Sequence, residues 1–117
     1  MENTKAEVAT KELSPLLLEE IKHALAITWD EENREINRLA ERSIYAINDL
    51  VGTEVDIETH LAAREMVIQR VRYDYNNALD EFETNYKRQL SRLILQVAIA
   101  ERKKAENGTE TVSEDVQ

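Results

Sequence analysis

The sequence predicts an all-α fold: a small bundle of about four helices with a long central helix and flexible termini. Three observations carry this. Among 117 residues only 2 are Gly and 1 is Pro, which leaves little room for hairpin turns. Charged residues make up 33% and hydrophobic residues 42%, a mix that suits amphipathic helices. Apolar residues recur in steps of three and four, the spacing of one helix face.

Residues 1–12 are polar and aperiodic and read as a flexible lead-in to a helical domain over residues 13–104. The first helix, residues 15–26, opens on agreeing signals. Ser14 suits the N-cap, and Pro15 suits the first helical position, where its missing N–H costs nothing. Leu13 and Leu18 take the two positions of a hydrophobic staple. Leu17, Leu18, Ile21, Ala24 and Leu25 form the apolar stripe. Thr28-Trp29-Asp30-Glu31 then has capping-box form for a second helix over residues 29–51. Asp30, Glu31 and Glu32 would sit at the positive end of its macrodipole. Its stripe runs through Ile36, Leu39 or Ala40, Ser43 or Ile44, Ile47, and Leu50 or Val51, and Gly52 stands where a left-handed cap belongs. Residues 53–58 alternate polar and apolar. With no partner strand they read as a loop that sets Val55 and Ile57 on the core.

The long central helix is predicted over residues 59–81. Ile68, Val71, Tyr75, Ala78 or Leu79, and Phe82 share one face of it, and every other helix needs that face or its flanks. Its two tyrosines, two asparagines and two arginines between Arg70 and Asn77 point to a second face in a contact. A break is expected near residues 81–85, where Asp80-Glu81-Phe82-Glu83 has capping-box form and Thr84 and Asn85 are weak helix formers. The last helix then covers residues 85–104. Ile21, Leu25, Ile36, Ile47, Leu50, Ile68, Val71 and Tyr75 form the predicted core.

From Leu93 to Ala100 the last helix is apolar nearly all round, and such a helix needs burial on every side. A four-helix domain of this size cannot easily enclose it, so part is expected to pack against another chain. The alternative is a central helix buried within one subunit. Tyr86, Lys87, Arg88, Arg92, Leu93, Leu95 and Ile99 are the candidate oligomer or partner interface. Lys87, Arg88 and Arg92 fit either a solvated face or contact with an acidic surface, while Arg102, Lys103 and Lys104 suit the negative end of the helix. Residues 105–117 read as an acidic flexible tail.

The net charge is −9, which disfavours unaided binding to nucleic-acid backbone. Residues 1–60 carry 14 acidic and 6 basic side chains, whereas residues 61–105 carry 6 acidic and 9 basic. That asymmetry fits head-to-tail packing between copies, or simply solvated helix faces. There is no cysteine, so disulfides and thiolate sites are excluded. The opening residues hold no apolar run, so no signal peptide is expected, and no run is long enough to imply a membrane partner. Glu20 and His23 have the spacing of di-iron bundle ligands, but His60 has Ile57 where the second motif needs a glutamate. No serine sits on a glycine-flanked elbow, and two glycines cannot build a phosphate loop. No cofactor, no metal and no enzymatic activity are expected.

Two stretches carry a resemblance. One runs from Leu17-Leu18-Glu19-Glu20-Ile21-Lys22 through Ile27-Thr28-Trp29-Asp30-Glu31-Glu32 and closes at Asn48-Asp49-Leu50-Val51-Gly52. The other is Arg72-Tyr73-Asp74-Tyr75-Asn76-Asn77-Ala78-Leu79-Asp80-Glu81-Phe82-Glu83. Together, over about residues 16–100, the chain resembles the head–tail connector (adaptor) family of long-tailed bacteriophages, nearest in look to siphophage adaptors of Gram-positive hosts. The resemblance implies a structural virion protein at the head–tail interface, assembled in the host cytoplasm. It implies a homo-oligomeric ring, expected to be dodecameric, beneath the portal protein, with a stopper or another tail-proximal connector below. Double-stranded DNA would pass through the channel without sequence-specific binding, and the acidic balance would discourage it from sticking. The alternative is a small helical regulator or scaffold that binds one partner through its C-terminal helix.

Overall fold

A computed structural model describes the backbone of residues 13–116 and the side chains of residues 13–107. The expected lead-in, residues 1–12, lies outside the described residues. The described chain is helical, with no strand among the described residues. Its elements are α1 (Pro15–Leu25), α2 (Asn33–Val51), α3 (Leu61–Tyr75), a 3₁₀ turn (Leu79–Glu81), the short α4 (Phe82–Asn85) and α5 (Lys87–Val116).

Helix α1 starts as predicted. Ser14 is extended, and its Oγ accepts the Leu17 N–H at 3.2 Å. Leu13 and Leu18 are both half-buried against the core. The helix closes in a Schellman turn. Ala26 is left-handed at φ 61° and donates its N–H to His23 O, while Ile27 donates to Lys22 O at 2.9 Å. The buried Ile27 thereby returns to the core beside Ile21.

Helix α2 begins later than the capping-box pattern suggests. Its first residue is Asn33, and no side chain caps it. The acidic groups of the turn are used elsewhere. Asp30 Oδ1 accepts from Lys22 Nζ at 2.6 Å, and Glu32 accepts from Trp29 Nε1 at 2.8 Å and Tyr75 OH at 2.9 Å. Farther along, Leu39, Ala40, Ser43 and Ile47 follow Ile36 into the core, and Gly52 ends the helix at φ 88° as predicted. Leu50 departs from expectation: it is 37% exposed, because the last turn of α2 opens onto a groove.

Residues 53–58 contain no strand, and Ile57 is buried with Val55 packed beside it. His60 caps α3 through Nδ1, which accepts the Ala63 N–H at 3.3 Å. The predicted 59–81 helix is not continuous. It stops at a second Schellman turn, where left-handed Asn77 (φ 59°) donates to Asp74 O at 3.1 Å and Ala78 donates to Tyr73 O at 2.8 Å. The break thus falls before the expected residues 81–85.

Ala63, Arg64, Met66, Val67, Ile68 and Val71 make α3 the most enclosed helix, and it packs on α1, α2, α4 and α5. Tyr75 and Leu25, predicted as core, are half-buried at its margins. Arg64 ties the layers together: Nε donates to Glu20 Oε1 at 2.8 Å, and Nη1 donates to Glu58 Oε1 at 3.3 Å and Ile57 O at 3.4 Å. Those carboxylates, Glu20 first, hold its pKa above the ordinary arginine value. Below α3, the rings of Tyr73, Phe82 and Tyr86 cluster with centroids 5.3–5.8 Å apart.

Helix α5 is longer than predicted, running to Val116 where the sequence suggests a flexible tail. Glu101 to Glu106 are mostly good helix formers, and Arg102 pairs with Glu106 at 3.8 Å. Only Leu90, Leu93 and Val97 of its described side chains are buried, so its second half projects from the bundle.

Candidate interaction surface

The last helix turns two different faces outward and inward. At about 100° per residue, Tyr86, Leu90, Leu93 and Val97 fall on one side. These are its half-buried or buried positions. On the opposite side, within about 40° of one line, lie Arg88, Arg92, Leu95, Ile99 and Arg102. All five are exposed, Leu95 at 60% and Ile99 at 49%. The apolar run is therefore not enclosed on all sides, which excludes the central buried helix.

The candidate residues divide accordingly. Lys87, Arg88, Arg92, Leu95 and Ile99 are exposed. Leu93 is 0% exposed and belongs to the core, which corrects its assignment to an interface: the neighbouring helices already cover it. Tyr86 is half-buried in the aromatic cluster, and its OH donates to Gln69 Oε1 at 3.1 Å.

A second feature was not visible in the sequence. A groove of about 630 Å³ lies between α2, the 3₁₀ turn, α4 and the first turns of α5. Leu50, Leu79 and Phe82 give it an apolar floor, and Glu41, Asp49 and Glu83 stand around it. Tyr45, on its edge, is 74% exposed. Arg42 also lines it but is held by Asp74 at 2.8 Å, whose hydrogen bond raises the Arg42 pKa. Arg70 is drawn inward, where Nη1 donates to Ser43 Oγ at 3.1 Å. Burial pulls the Arg70 pKa below the ordinary value, against the opposing field of Asp74. Glu41 Oε2 is covered and accepts no hydrogen bond. The one signal in the sequence was Tyr45, an aromatic residue outside the α2 stripe.

Elsewhere, the Glu20–His23 pair is taken apart by Arg64, which engages Glu20, while His23 is exposed. Among the described residues no three acidic or histidine side chains converge as a metal would require. Among the same residues no helix is long and apolar enough to cross a membrane. No protein-family model, no curated protein and no solved structure matches the chain.

Proposed function

We propose that this chain is a head–tail connector (adaptor) of a bacteriophage virion. Copies form a ring beneath the portal, extend the DNA channel and offer a platform to the stopper or tail. The observation that carries this reading is the outward stripe of α5, where Leu95 and Ile99 stand exposed between Arg88, Arg92 and Arg102. Two large aliphatic side chains on a projecting helix cost free energy in water and gain it when a neighbour covers them. The resemblance over residues 16–100 supplies the identity of that neighbour: another copy or the portal. The acidic balance of the chain suits a channel through which DNA slides, since like charge discourages phosphate contacts.

The test is cryo-electron microscopy of the protein mixed with the portal protein of the same phage. A ring of this chain under the portal is the expected result, and Leu95→Glu should abolish it while leaving helicity intact. A protein that ignores the portal refutes the reading. The same stripe also fits a small helical regulator that binds a single partner through α5. Mass measurement separates the two, because a regulator stays a monomer or dimer in every mixture with portal.

A further inference from the structure

We propose that the groove between α2 and α4 is the receptor for the outward stripe of α5 from a second copy of this chain, docked head to tail. The contact rests on the connector reading only for its closure into a ring. The contact itself rests on geometry and charge.

The stripe cannot serve its own subunit. It lies opposite Leu90, Leu93 and Val97, the side chains that fix α5 to its own core. It is left open to a neighbour. The stripe presents an i, i+4 pair, Leu95 and Ile99, preceded by Arg88 and Arg92 on the same face and followed by Arg102. Its partner surface needs an apolar trough with carboxylates along the edge.

The groove has that form. Leu50 and Phe82 supply the apolar floor, and Glu41, Asp49 and Glu83 supply the edge. Its own cations do not spoil the match: Asp74 holds Arg42, and Arg70 is turned in to Ser43. Glu41 contributes an oxygen with no donor, a costly state that an arriving guanidinium would relieve once the side chain swings outward. A second groove, beside Ile44 and Val55, is a poorer receptor. Leu13 and Ser14 line it, and beside Glu41, which borders both grooves, its Asp56 and Glu58 are already engaged, by the Glu58 N–H and by Arg64.

Donor and receptor residues do not overlap, so one copy can give its stripe to one neighbour and its groove to another, a heterologous contact. An array joined this way keeps a free groove on its first copy and a free stripe on its last. Such a contact repeats until it closes on itself or grows as a filament.

Two variants of the full chain test this by sedimentation velocity in low salt. Asp49→Lys with Glu83→Lys disables the groove, and both positions are exposed, so the fold should survive. Leu95→Glu with Arg92→Glu disables the stripe, also at exposed positions. Circular dichroism confirms folding of each. Wild type should associate with rising concentration, and added salt should weaken it. Each variant alone should associate at least about tenfold more weakly than wild type, the effect of roughly 1.4 kcal/mol or more. Mixed together, the two variants should form one-to-one dimers and nothing larger, because only one groove and one stripe remain intact. Monomeric wild type at millimolar concentration overturns the proposal. So does wild-type association by a folded variant alone, or a mixture that stays monomeric. Adding portal separates the two readings. If rings form on portal with the groove variant undiminished, this contact is wrong and the connector reading stands. If head-to-tail association occurs as described but portal recruits nothing, the contact stands and the connector reading fails.

Discussion

Ala26 sits just past α1 with φ 61°, a left-handed conformation that an alanine enters only at a cost. For an L-residue with a Cβ that cost is roughly 1–2 kcal/mol. Glycine enters it freely but loses more chain entropy on folding, roughly 0.5–1 kcal/mol relative to alanine. Ala26 is exposed, so its methyl contributes little packing to set against the change. Ala26→Gly should therefore stabilise the protein by about 0.5–1 kcal/mol. For a domain of this size that raises Tm by roughly 2–8 °C. Two companions make the test sharper. At Gly52 (φ 88°) a new Cβ would meet nothing within 4 Å, so Gly52→Ala isolates the backbone term. It should destabilise by about 1 kcal/mol. Asn77 is left-handed too, but asparagine tolerates that region, so Asn77→Gly should change stability by less than either. Urea unfolding of the three variants, with the slope unchanged, gives the values. If Ala26→Gly destabilises while Gly52→Ala behaves as stated, the end of α1 is not the Schellman turn described.

Ile47→Ala should cost roughly 2–5 kcal/mol in urea melts, because the side chain is almost wholly enclosed between α2 and α3. Leu93→Glu and Leu95→Glu, two residues apart, should part company in circular dichroism: the first buries a charge and unfolds the bundle, the second leaves helicity nearly intact. Asp30→Asn should destabilise, since it strips the counter-ion from Lys22, whose side chain is 4% exposed. The hydrogen bond from Lys22 depresses the Asp30 pKa below its ordinary 3.8. Its contribution is therefore complete above that value and is lost as pH falls through the lower folded value. Acid titration of stability should show a limb there that Asp30→Asn lacks.

Features set by neighbouring residues were legible in the sequence. The Ser14–Pro15 start, the Gly52 stop and the 53–58 loop needed only local chemistry, and the Ile36–Ile47 stripe needed only a helical period. Features decided across the fold were not. Thr28 caps nothing because α2 starts only at Asn33, while Asp30 and Glu32 of the acidic turn accept from Lys22 and Tyr75 of other helices. The sequence predicts one continuous central helix because Asn76-Asn77 reads as part of a contact face, although asparagine can replace glycine at a left-handed cap. Leu93 and Leu95 look alike in sequence, and only the side from which α2, α3 and α4 approach α5 tells core from surface. The groove joins α2 to residues from Arg70 to Leu90, far along the chain, and has no sequence signature beyond Tyr45.

The chain passes from α4 into α5 through one non-helical residue, Tyr86, at φ −114° and ψ 22°. That residue is also a member of the three-ring cluster. From there to Arg102 the helix extends about 24 Å. It is a lever whose fulcrum is made of aromatic edges. A tilt of about 5° at the fulcrum carries Arg102 about 2 Å sideways over that length. In a head-to-tail array each copy inherits the tilt of the one before, so small errors compound into curvature. The number of copies that closes a circle would then be written in the packing of Tyr73, Phe82 and Tyr86, of which Phe82 also floors the groove.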